Sequence, residues 1–179
     1  ALEYEVHCNE WLEDRGWLTY TRDDHADLHD IADDARAYSV APGRFYLNLA
    51  DREPRGSVPD EEYETVRADL RDAVESLTDP EGNPVVDRVV PSEEAFQGPH
   101  DDLAPDLVAV PNPGYELQGR FGTPGEVFST GARTGMHTRD DAALLVDEPG
   151  VSVTGDVNLY DVAPTVLDLL DIEYESGHF

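Results

Sequence analysis

The residues best placed to do chemistry lie in Ser129-Thr130-Gly131-Ala132-Arg133-Thr134-Gly135-Met136-His137-Thr138-Arg139-Asp140-Asp141, which sets a histidine in a glycine-flanked loop. An apolar run, residues 142–146, follows directly, and further on comes Leu159-Tyr160-Asp161-Val162-Ala163-Pro164-Thr165 ahead of a leucine-rich end. A loop histidine before a buried strand, then a helix with proline near its start, is one way an α/β enzyme presents a single ligand at its site. A neutral imidazole binds Zn²⁺ or Mn²⁺ well and is usually oriented by a second acceptor, for which Asp140 and Asp141 are the candidates. Taken without its context, His137 reads more readily as an ordinary surface or capping histidine.

Other titratable groups offer alternatives. His25 and His29 are four apart, the spacing that aligns two ligands on a helix, and Asp24, Asp27 and Asp30 lie among them. The segment has no apolar face to hold a helix rigid, so a solvated acidic loop over 19–34 is the expectation. A divalent cation bound by its aspartates is a weaker reading. Arg52, beside Glu53, either reaches a substrate phosphate or forms a structural ion pair. His100 reads as a loop residue and His7 as structural. Cys8 has no basic neighbour in sequence to make it a nucleophile.

The elements that must position these groups alternate in type. Asn9 is a cap for a helix over Glu10–Arg15 that Gly16 stops. Trp17-Leu18 reads as a short strand, as do Arg44–Leu49, Val85–Val90, Ala104–Pro111 with prolines marking both ends, and Ala142–Val146. The strongest helix runs from Pro59 to Leu77. Proline suits its first position, Asp60, Glu61 and Glu62 suit its positive end, and Tyr63, Val66, Leu70, Val74 and Leu77 recur at helical spacing. A last helix lies near Asp161–Leu170, with Asp161 as its cap. Residues 111–135 are rich in Gly and Pro and read as a long loop leading to His137. Strands alternating with helices predict an α/β fold, and apolar strands predict a mostly parallel sheet flanked by helices. The expected organisation is a single domain over 1–179 or the C-terminal portion of one.

Composition constrains the setting. The 179 residues include 40 acidic and 12 basic ones, all arginine, for a formal net charge of −28. Such a charge disfavours nucleic acid and anionic membranes as partners. With 39% hydrophobic residues and clear periodicity, the chain reads as folded rather than disordered. A carboxylate-rich surface suits concentrated salt, where the Debye length falls to about 3 Å at 1 M, so a halophilic, haloarchaeal source is expected. One cysteine fits a cytoplasmic location. The chain starts at Ala1 and its one methionine is Met136, so the native start is expected upstream.

Several segments in order resemble the type I phosphodiesterase/nucleotide pyrophosphatase branch of the alkaline phosphatase superfamily. Asn9-Glu10-Trp11-Leu12 with Gly16-Trp17-Leu18, Ala37-Tyr38-Ser39, and Tyr46-Leu47-Asn48 with Arg52-Glu53 and Gly56 are similar to family segments. So are Pro105-Asp106-Leu107, Gly135-Met136-His137 and Asp161-Val162-Ala163-Pro164-Thr165. Ala142 departs from a family glycine. The resemblance implies an alkaline-phosphatase-like sandwich and hydrolysis of phosphate esters or nucleotides. Two divalent metals, Zn²⁺ or Mn²⁺, about 4 Å apart would act on the phosphoryl group. It implies that the Ser or Thr nucleophile and most ligands lie upstream of Ala1, so that this chain holds no catalytic nucleophile and His137 is its one metal ligand. Alternatives are a non-catalytic acidic interaction module on the same fold, or a phosphoglycerate-mutase-like phosphotransferase.

Overall fold

A computed structural model describes residues 1–122, 125–131, 133–137 and 143–174. The chain divides into two compact units, Ala1–Thr138 and Arg139–Phe179.

The first unit contains two sheets. Strand β1 (Tyr4–His7) runs straight into helix α1 (Cys8–Asp14). Next come β2 (Ala37–Ala41), β3 (Arg44–Leu47), α2 (Tyr63–Glu75), β4 (Val86–Pro91), the single turn α3 (Ser92–Ala95), β5 (Leu107–Pro111), β6 (Tyr115–Gln118) and β7 (Phe128–Ser129). One sheet has the order β6-β1-β7 and the other β2-β3-β5-β4. The α/β class holds, but among the described strands only β1 and β6 pair in parallel; β1–β7, β2–β3, β3–β5 and β4–β5 are antiparallel. The apolar runs misled because they are buried on one side only: in β3, Phe45 and Leu47 are buried while Arg44 and Tyr46 are only half-buried. One-sided burial is the signature of antiparallel pairing.

Short connections force that pairing. Pro42-Gly43 joins β2 to β3, with Gly43 at φ +66°. A Cβ on Gly43 would lie 2.5 Å from the Ala109 carbonyl oxygen, so this turn requires glycine both for its backbone and for the approach of β5. Helix α2 covers the antiparallel sheet with Val66, Leu70 and Val74, as its periodicity predicts. These join Val6, Leu12, Leu18, Phe45, Leu47 and Leu107 in one core.

Several expected boundaries move. Residues 60–62 form a 3₁₀ turn ahead of α2. Trp17 and Leu18 are not in a strand; instead their carbonyl and amide groups bond Arg36, Ala37 and Leu12. The Gly/Pro-rich 111–135 stretch contains β6 and β7. Asn9 is inside α1, not before it: its amide donates to the Ser39 and Arg120 carbonyls at 2.8 and 2.9 Å, and its oxygen accepts from the Ser39 amide at 2.8 Å. The 19–34 loop is closed at its base by a Tyr20–Ile31 bridge and carries a 3₁₀ turn at Leu28–Asp30, capped by Asp27.

In the second unit, α4 (Val162–Leu169) follows a 3₁₀ turn at Leu159–Asp161. The cap is Asn158, which accepts from the Tyr160 amide, while Asp161 reciprocates by accepting from the Asn158 amide at 2.8 Å. These bonds cap the 3₁₀ turn; Asp161 is itself the N-cap residue of α4, the place its sequence position gives it, although its side chain makes no cap bond to α4. Asp171, at φ +54°, takes the left-handed position that ends α4, with the Ile172 amide donating to the Leu167 carbonyl. Residues 143–146, expected in a strand with Ala142, have no regular secondary structure, and Ala142 lies outside the described residues. No described helix is long and apolar enough to cross a membrane.

Candidate functional site

His137 is delivered by a segment pinned on both sides of Gly135. Glu5 of β1 and Glu116 of β6 face each other in the parallel register. Arg133 spans them, with Nη2 2.6 Å from Glu5 Oε1 and Nη1 3.2 Å from Glu116 Oε1. This pair of carboxylates holds the Arg133 pKa above its ordinary value. Thr134 accepts from the Leu2 amide, and the Gly114 amide donates to the Met136 sulfur at 3.2 Å. The imidazole of His137 is left exposed on the wall of an open cleft of about 500 Å³, opposite Pro42, Gly43, Pro111 and Tyr115. Among the described residues no side chain hydrogen-bonds to it. The two candidate orienting groups, Asp140 and Asp141, lie outside the described residues.

Arg52 lies in a different place and is already engaged. Its Nε donates to Glu53 Oε1 at 2.7 Å, and Nη2 donates to the Leu47 carbonyl at 2.7 Å and to Asp106 Oδ2 at 2.8 Å. Nη1 completes a two-pronged contact to Asp106 Oδ1 at 3.3 Å. Burial opposes the charge on Arg52, but Asp106 and Glu53 outweigh it and raise the pKa. Asp106, 3% exposed, also accepts from the Leu47 amide and the Tyr63 hydroxyl. Burial and the Asp106 charge push the Tyr63 phenol up to about 12. Glu53 accepts in addition from Tyr38 and the Leu49 amide. The family-like segments around Asn48, Arg52 and Asp106 therefore converge on one partly buried polar network.

The remaining candidates take structural places. His7 Nε2 lies 2.8 Å from Ser129 Oγ and ties β1 to β7. Its buried Nδ1 has no partner, so among the described residues no carboxylate orients the ring as a serine nucleophile's base requires. Cys8 is buried, and burial pushes its thiol up to about 12, which makes it unreactive near neutrality. His100 is exposed. His25 and His29 are not brought together on a helix. His29 is exposed in the 3₁₀ turn, whereas His25 stacks on Tyr20. Aspartates of the loop serve as caps and pairs: Asp30 accepts from the Ala26 amide at 2.7 Å and pairs with Arg22 at 2.8 Å.

Two places offer metal donors. His137 supplies one accessible imidazole, which suits one ligand position and cannot hold an ion unaided. The other is a trio that sequence reading missed, Glu10 and Glu13 of α1 with His25, whose ligand atoms all lie within 4.8 Å of one another. The signal available in sequence was the three-residue spacing of the glutamates; the histidine reaches them only through the folding of the loop.

A mixed α/β unit that presents a loop histidine at a cleft is consistent with a phosphoester hydrolase-like protein. The chain belongs to the type I phosphodiesterase / nucleotide pyrophosphatase family, whose model matches residues 1–140, His137 included. No curated protein and no solved structure matches it.

Proposed function

We propose that this chain is the C-terminal part of a metal-dependent phosphohydrolase acting on phosphate esters or nucleotides, and that His137 is one ligand of its two-metal centre. The observation that carries this reading is the exposed imidazole on a cleft wall, held by anchored backbone, inside the family match. The other ligands and a Ser or Thr nucleophile come from chain preceding Ala1. When bound, Zn²⁺ or Mn²⁺ supplies Lewis-acid stabilisation of charge on the phosphoryl oxygens. The chain's own contribution is to fix the ligand's approach: Arg133 clamps the loop to β1 and β6, and Met136 seats against Gly114. Arg52 belongs to the framework, since four of its five N–H donors are taken within the protein. The setting is the cytoplasm of a halophile: the charge of −28 and the absence of lysine support the halophile, and the single cysteine supports the compartment.

The test is turnover of p-nitrophenyl phosphate mono- and diesters in molar KCl. The protein carrying the preceding chain hydrolyses them and loses activity to a chelator; residues 1–179 alone show no turnover. Phosphate transfer to an acceptor without net hydrolysis would favour the phosphotransferase reading. An inert longer protein would favour the non-catalytic module.

A further inference from the structure

The Glu10–Glu13–His25 trio has no part in the reading above. Glu10 and Glu13 are three apart on α1 and so project from one face of the helix. Glu10 is buried, Glu13 exposed and His25 half-buried, so the group spans the boundary between core and solvent. His25 is held by packing as well as by its loop. Its ring stacks on Tyr20 with centroids 3.5 Å apart and planes 5° from parallel. Tyr20 packs edge-on against Phe121 at 6.4 Å. The loop carrying His25 is fixed by the Tyr20–Ile31 bridge and the Arg22–Asp30 pair. The imidazole is thus brought to two carboxylates by an ordered frame.

A second, independent feature lies in the same place. The Tyr20 hydroxyl is buried and has no hydrogen-bond partner. Buried polar groups are nearly always paired, and an orphan commonly marks the place of a water or an ion. The ring that carries this hydroxyl is the one stacked face to face on His25, which sets it beside the trio.

We propose that Glu10, Glu13 and His25 bind a divalent transition-metal ion, Zn²⁺ by their donor set, and that this ion staples the 19–34 loop to α1. An imidazole nitrogen with two carboxylate oxygens suits Zn²⁺; Ca²⁺ and Mg²⁺ prefer all-oxygen shells. Three protein donors leave a fourth position beside the Tyr20 hydroxyl for a water, which would pair that group.

The test is Zn²⁺ binding by the full chain in molar KCl with excess Mg²⁺ to occupy weak acidic sites, read by equilibrium dialysis and by amide hydrogen exchange. Wild type gains Zn²⁺-dependent protection in 8–14 and 19–34. Glu13→Gln and His25→Gln each bind one Zn²⁺ fewer and lose that protection, whereas His137→Ala keeps it. Circular dichroism checks that the variants stay folded, and the wild-type exchange pattern decides the matter even if one does not. Absence of Zn²⁺-dependent protection at these two segments, or equal stoichiometry in the folded variants, overturns the proposal.

Discussion

At the scale of single residues, Arg52 looks chemical by its motif, yet its guanidinium is engaged with Glu53, the Leu47 carbonyl and Asp106. Removing it leaves Asp106 buried with a smaller set of partners, which costs about 3 kcal/mol. Arg52→Ala is therefore expected to lower stability in urea unfolding by about that amount, whereas a substrate-binding role would raise KM with stability unchanged. Asp79 gives a prediction with a pH sign. Burial works against its charge, but hydrogen bonds from Asn83, Tyr115 and the Glu81 amide outweigh this and bring its pKa down to about 2. An unfolded aspartate titrates near about 3.9, so the folded state gains from the charged form above that pH. The gain is lost as pH falls toward 2. Asp79→Asn should be clearly less stable than wild type at pH 6, with the gap closing as pH falls toward 2; a gap independent of pH would refute this. The candidate site was legible in sequence only at His137, because its loop signature is local. The Glu10–Glu13–His25 trio was not legible, since no spacing rule links residue 25 to a helix ending at Asp14.

At the scale of elements, α2 was readable because a long amphipathic helix states its own periodicity and needs no partner to be recognised. The short strands β6 and β7 were not, since four and two residues between glycines and prolines carry little pattern. Their pairing with β1 is set by contacts distant in sequence. Asn9 shows the same limit. A cap and a buried bridge use the same residue type, and only the fold decides which. As a cap, Asn9 would tolerate serine with little loss. As the bridge from α1 to β2 and Arg120, it cannot be replaced by serine without leaving the buried amide and carbonyl of Ser39 unpaired, a cost of about 2 kcal/mol. Asn9→Ser measured by chemical denaturation separates these outcomes.

At the scale of the whole molecule, charge governs stability. Most of the 40 carboxylates have no arginine to pair with, since there are 12. Screening by molar salt removes their mutual repulsion, so the melting temperature should rise strongly between low-salt buffer and molar KCl. A flat response would contradict a halophilic design. In the proposed reading, so acidic a surface leaves phosphate chemistry to draw on metal charge at the cleft that carries His137. Loss of groups that merely orient a ligand costs 10–100-fold, so loss of the ligand itself should cost at least about 100-fold. The decisive measurement is kcat/KM for a p-nitrophenyl phosphate diester with the full-length protein, wild type against His137→Ala, in molar KCl with Zn²⁺ or Mn²⁺. A fall of about 100-fold or more at unchanged melting temperature is predicted; activity within about two-fold of wild type would contradict the assignment of His137 as a metal ligand.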